Sequence, residues 1–135
     1  TSSLVVSHKN NAAAMDICNH WSKVRALGEE DYPITDCYWD YLRVYTLANI
    51  ELLGANVQTV PGEWMILGQT VPPQVDILDE KIEGIRGFGT LKVVPGGESL
   101  STSFRFGLPA SVISRSEDGM LIYRVKIQKQ LQWLC

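Results

Sequence analysis

The chain has 135 residues, 45% hydrophobic and 20% charged, which suits one globular domain with one core and is too apolar for a disordered segment. A net charge of −3 leaves no broad basic surface of the kind nucleic acid or an anionic membrane selects. The one basic cluster, Arg124, Lys126 and Lys129, reads as a solvated strand face. No apolar run approaches the roughly 20 residues that span a bilayer. No basic-then-apolar leader opens the chain. A first residue Thr1 and an apolar close at Leu131, Trp133, Leu134 and Cys135 lead us to expect a piece of a longer protein, with any anchor outside residues 1–135.

Residues 4–8 read as a short strand, and Asn10-Asn11 as a capping or turn signal. Over 12–27, Ala14, Ile17, Trp21 and Val24 recur at helical spacing and Gly28 follows as a stop, which predicts a helix. The acidic stretch 29–36, with Pro33, predicts a loop. From Cys37 the pattern becomes β. Over 38–47, Tyr38, Asp40, Leu42 and Val44 share one face, and Trp39, Tyr41, Arg43 and Tyr45 share the other. A strand is expected over 50–60 with a bulge at Gly54. Pro61-Gly62 predicts a turn before a short strand over 64–67. Pro72-Pro73 breaks the chain, and 75–82 fits strand or helical turn. A strand then runs to Val94, punctuated by Gly84, Gly87 and Gly89.

The last third is clearest. After the turn Pro95-Gly96-Gly97, Leu100, Thr102, Phe104 and Phe106 alternate with Ser101, Ser103 and Arg105. Leu108-Pro109 ends that strand, and Asp118-Gly119 marks a tight turn. Leu121, Tyr123, Val125 and Ile127 then alternate with Ile122, Arg124, Lys126 and Gln128. Strands that are polar on one side are antiparallel with one solvated face, and turn signals at roughly 8–12-residue spacing point to a sandwich. The expected fold is mainly β: a single antiparallel, Ig-like β-sandwich domain over 1–135 with one N-terminal helix.

Three cysteines leave at least one without an intrachain partner. Cys18 and Cys37 flank a polar, turn-rich stretch. They fit either a bridge, worth about 3 kcal/mol for a loop of that length, or two buried thiols. Three stretches resemble the C-terminal region of a bacterial, membrane-anchored family of unassigned function. They are Cys37-Tyr38-Trp39-Asp40-Tyr41-Leu42-Arg43-Val44-Tyr45 with Glu51-Leu52-Leu53-Gly54-Ala55; Phe88-Gly89-Thr90 through Pro95-Gly96-Gly97-Glu98-Ser99 to Phe104-Arg105-Phe106 and Leu108-Pro109; and Tyr123-Arg124-Val125 through Gln128-Lys129-Gln130. The family has Pro-Gly pairs where Thr46-Leu47-Ala48-Asn49 and Leu131-Gln132 stand here. The resemblance implies a membrane anchor upstream, a place outside the cytoplasm at the cell surface, and hence a Cys18–Cys37 disulfide. It supplies no catalytic residues.

Nucleophilic catalysis needs a nucleophile, a base and an orienting group within reach. The histidines are His8 and His20, no Gly-x-Ser-x-Gly elbow is present, and a disulfide would consume Cys18 and Cys37. Cys18-x-His20 lacks the further ligands of a zinc site. Asp76, Asp79, Glu80 and Glu83 read as a solvated acidic loop. Gly84-x-x-Gly87-x-Gly89 has no Lys-Ser/Thr after it, so bulges or twist explain it better than a phosphate loop. We therefore expect no enzyme, no cofactor and no metal. The surface of most interest is Trp39, Tyr41, Arg43 and Tyr45. Either it meets a protein or glycan partner, or the N-terminal helix covers it with Trp21 on Trp39 or Tyr41. The expected function is a non-catalytic interaction or scaffolding module at the cell surface. The alternatives are a carbohydrate-binding module and an accessory domain of an enzyme encoded elsewhere in the full chain.

Overall fold

The computed structural model describes residues 1–14, 18 and 37–123. These form eight strands: β1 (Ser2–Lys9), β2 (Tyr38–Leu47), β3 (Glu51–Asn56), β4 (Asp76–Leu78), β5 (Ile85–Val94), β6 (Ser99–Gly107), β7 (Ile113–Arg115) and β8 (Leu121–Tyr123). Every pairing is antiparallel. One three-stranded sheet has the order β1-β6-β3, a second has β2-β5-β4, and β7 pairs with β8. The fold is mainly β, as the period-2 patterning predicts.

The central strands show why the alternation works. On β6, Thr102, Phe104 and Phe106 are buried, with Ser101, Ser103 and Arg105 on the other side. On β5, Phe88, Thr90, Lys92 and Val94 are buried on one face. Phe88 meets Phe106 with ring centroids 5.7 Å apart, so the two three-stranded sheets share one apolar cluster. Leu42 and Val44 of β2 and Leu52 of β3 pack against it. Each buried Phe there contributes roughly 1.5–3 kcal/mol. The expected bulge is present: the β3–β6 register shifts between Leu52 and Gly54.

A second cluster lies on the far face of β5. Cys18, Cys37, Val60, Trp64 and Val93 are buried together, with Trp39, Met65, Val71 and Leu91 against them. Cys18 and Cys37 form a disulfide with Cα atoms 5.6 Å apart and a sequence separation of 19 residues. Closing that loop stabilises the fold by about 3 kcal/mol in the chain-entropy account. β4 ends before Val93, and Gln58 takes the place of a strand there. Its Nε2 donates to the Val93 carbonyl (2.9 Å) and its Oε1 accepts the Val93 N–H (2.8 Å).

A polar contact joins the two sheets at one end. Lys92 on β5 is buried, with Nζ 3.1 Å from Oδ2 of Asp40, its register partner on β2. From the other sheet, His8 on β1 places Nε2 2.8 Å from the same ammonium. Tyr38 stacks on the His8 ring at 6.0 Å. Burial pushes the His8 pKa below its usual value, Lys92's charge lowers it further, and Asp40 opposes both.

Four expectations change. In the helix expected over 12–27, Ala12, Ala13, Ala14 and Cys18 are not helical. Asn10 acts in a turn: its Oδ1 accepts the Ala12 N–H and its Nδ2 donates to the Val94 carbonyl, tying the chain to the end of β5. The rest of that helix, with Ile17, His20, Trp21 and Val24, lies outside the described residues. The strand expected over 64–67 is instead a 3-10 turn (Gly62–Trp64) leading into a loop, with Ile66 and Leu67 exposed. Of the two readings of the glycines, bulge or twist, the bulge is absent at Gly87 and Gly89, since β5 pairs with β2 without a register break from Ile85 to Val94. Leu121, on the apolar side of the alternation read over 121–128, is exposed on the β7–β8 hairpin. The basic cluster Arg124, Lys126 and Lys129, together with Val125, Ile127, Trp133 and Cys135, lies outside the described residues.

Candidate functional site

The outward face of β2 carries Trp39, Tyr41, Arg43 and Tyr45 because successive side chains on a strand point to opposite sides. The structure divides these four. Trp39 is half-buried in the cluster around the disulfide. Tyr41 is 36% exposed, Tyr45 is 47% exposed, and the Arg43 side chain is 54% exposed. The disulfide holds Cys18 at the Trp39 end of this face, against Val93 and Trp64.

Each tyrosine lies across a glycine of the neighbouring strand. Tyr41 is in register with Leu91, and its ring runs diagonally over Gly89 to β4, where its hydroxyl donates to Asp76 Oδ2 at 2.6 Å. Asp76 is the register partner of Gly89. A Cβ added at Gly89 would clash with Tyr41 Oη, Cζ and Cε1 at once, so the phenol occupies the space a side chain there would fill. Tyr45 repeats the device over Gly87, its register partner, and its hydroxyl donates to Glu80 Oε1 at 3.1 Å. A Cβ at Gly87 would sit 3.2 Å from Tyr45 Cε1 and 2.9 Å from Leu78 Cβ. Two glycines in a central strand thus make room for two rings that cross it.

Charged and polar groups border the rings. Arg43 Nη1 is 3.6 Å from Glu80 Oε1, and its guanidinium carbon is 5.8 Å from the Tyr41 ring centroid. Gln74 Nε2 donates to Asp76 Oδ1 at 3.3 Å, and Thr90 Oγ1 donates to the Gln74 carbonyl at 2.9 Å, pinning the segment that carries Asp76. The hydrogen bond to Asp76, then burial and the charge of Asp76, push the Tyr41 pKa up to about 12, with Arg43 opposing slightly. A phenol held there does not ionise at neutral pH. Its hydroxyl fixes the ring and is a poor proton donor.

The four acidic residues 76, 79, 80 and 83 separate as well. Asp76 and Glu80 tether the tyrosines, while Asp79 Oδ1 accepts the Lys81 N–H, where Lys81 has φ 54°. Sequence reasoning placed Tyr41, Arg43 and Tyr45 together and missed Asp76, Glu80, Gly87 and Gly89 as their supports. The signal was two tyrosines at i and i+4 on one strand face and two glycines at i and i+2 on another. Only the register joins them. Cys18 and Cys37 are bonded to each other, so neither is a thiol nucleophile, and His8 is engaged with Lys92. No family model, curated protein or solved structure matches this chain.

Proposed function

We propose that this chain is a non-catalytic interaction module of the cell surface, and that Tyr41, Arg43 and Tyr45 form its contact surface. The observation that carries this reading is the pair of exposed tyrosine rings, each crossing β5 at a glycine and tied by its hydroxyl to a carboxylate. The two three-stranded sheets around the shared phenylalanines suit an Ig-like β-sandwich, a rigid support for such a surface. The buried Cys18–Cys37 bridge fits an oxidising compartment. The family resemblance implies the same compartment and an anchor upstream.

The test is binding of the fluorescently labelled domain to intact cells of the organism that makes it. The wild type should bind saturably. The variant Tyr41→Ala/Arg43→Ala/Tyr45→Ala, confirmed as folded by circular dichroism, should bind roughly tenfold or more weakly. Equal binding by both proteins would remove this face from the function.

A further inference from the structure

We propose that the Tyr41–Tyr45 face is a glycan platform that stacks the pyranose rings of a neutral polysaccharide; this rests on the reading above that the face is a contact surface. Three features of the site favour a sugar over a protein. The first is ring orientation. Tyr41 and Tyr45 cross β5 at Gly89 and Gly87 and stay 36% and 47% exposed, so aromatic area lies level with the sheet surface. Protein hot spots are typically aromatic side chains seated in a pocket of the partner, and a ring tied by its hydroxyl across its own sheet does not reach into one. A pyranose presents a flat C–H surface that meets a π face without a pocket.

The second feature is fixation. Asp76 and Glu80 hold the two hydroxyls, so the rings are ordered before any ligand arrives. They stand four residues apart on one side of β2, about 13 Å along the strand at 3.3 Å per residue. A ligand touching both must be an extended oligomer, so affinity should grow with chain length. The third feature is the border. Arg43, Asp76, Glu80 and Gln74 place donors and acceptors beside the rings, suited to hydroxyl pairs on a sugar. Arg43 is paired with Glu80, and Asp76 leaves the site net negative, which repels acidic sugars and selects neutral ones.

The experiment is electrophoresis in native gels containing hydroxyethyl cellulose, xylan, galactomannan or pullulan, with alginate as the acidic control. At least one neutral polysaccharide should retard the wild type, and its short oligosaccharides should compete less well than long ones. Tyr41→Ala/Tyr45→Ala should lose about tenfold or more in affinity. Tyr41→Phe, which keeps the ring but loses its tether to Asp76, should bind more weakly than the wild type and more tightly than the double variant, and Arg115→Ala on the β7–β8 hairpin should match the wild type. Should the double variant fail to fold, ring-proton NMR of the wild type titrated with the retarding polysaccharide gives the same answer, since the Tyr41 and Tyr45 resonances must move. No retardation, retardation by alginate alone, or retardation indifferent to both rings overturns the proposal. Cell envelopes separate it from the reading beneath it. Binding abolished by periodate, which cleaves vicinal diols, and spared by protease supports the glycan. Binding that needs the face but is abolished by protease alone overturns the glycan and leaves a protein contact surface. Binding indifferent to the face overturns both.

Discussion

Tyr41 and Asp76 show how much a single exposed hydrogen bond does here. The bond contributes about 1 kcal/mol to stability, as such bonds do at a surface. Its larger effect is orientation, because it draws the phenol across β5 and holds it over Gly89. The same hydrogen bond is the first cause that pushes the Tyr41 pKa up to about 12. The protonated phenol is favoured in the folded chain. Its contribution is therefore complete below the ordinary tyrosine value of 10.0 and is lost as pH rises through the folded value. In an alkaline titration followed by tyrosine ring NMR, Tyr41 should ionise late, and Asp76→Asn should bring it back toward 10.0. A Tyr41 that titrates normally in the wild type would mean the ring is not held.

At the scale of elements, the second sheet depends on matching two glycines of β5 to two tyrosines of β2. Gly89→Ala places a methyl where the Tyr41 phenol lies, so the ring must lift away from Asp76. Overpacking of this kind costs about 1–3 kcal/mol, and urea denaturation should show it. In the double variant Tyr41→Ala/Gly89→Ala the two costs should be less than additive, since the methyl then meets open space; additive costs would argue against the stacked geometry. This match explains what the sequence made legible. Strands β1, β2, β5 and β6 declare themselves because Leu42 and Val44, or Phe104 and Phe106, repeat with the pleat. The sharing of one face by Tyr41, Arg43 and Tyr45 follows from the same period. Their supports were hidden because Asp76, Gly87 and Gly89 are joined to them by a pairing across more than thirty residues of chain, which no local pattern encodes. The strand expected over 64–67 failed for a different reason. Trp64 and Met65 pack inward while Ile66 and Leu67 do not, so an apolar run stood for a turn between Gly62 and Gly68.

Across the whole molecule, the two sheets meet through the phenylalanine cluster and, at one end, through the buried contact of His8, Lys92 and Asp40. That contact makes stability depend on pH in a defined direction. Among the described residues the charged or titratable groups facing His8 are Lys92 on β5, and Asp40 and Tyr38 on β2. With His8 neutral, Lys92 and Asp40 compensate each other, whereas a protonated His8 would add a second cation beside a buried ammonium. The folded chain therefore holds His8 neutral below the value of 6.5 at which it would otherwise protonate. The unfolded chain binds a proton there and the folded chain does not. Stability is thus fully present above pH 6.5 and is lost as pH falls toward the folded value. Urea midpoints measured downward from neutral pH, and kept above the carboxylate range, should fall for the wild type. His8→Gln keeps an acceptor for Lys92 and cannot protonate, so its midpoint should change less over the same interval. Because β1 is hydrogen-bonded to β6 and reaches the second sheet through His8, hydrogen exchange of the β1 amides should quicken first on acidification. Parallel slopes for the wild type and His8→Gln would show that the contact between the sheets does not sense protons.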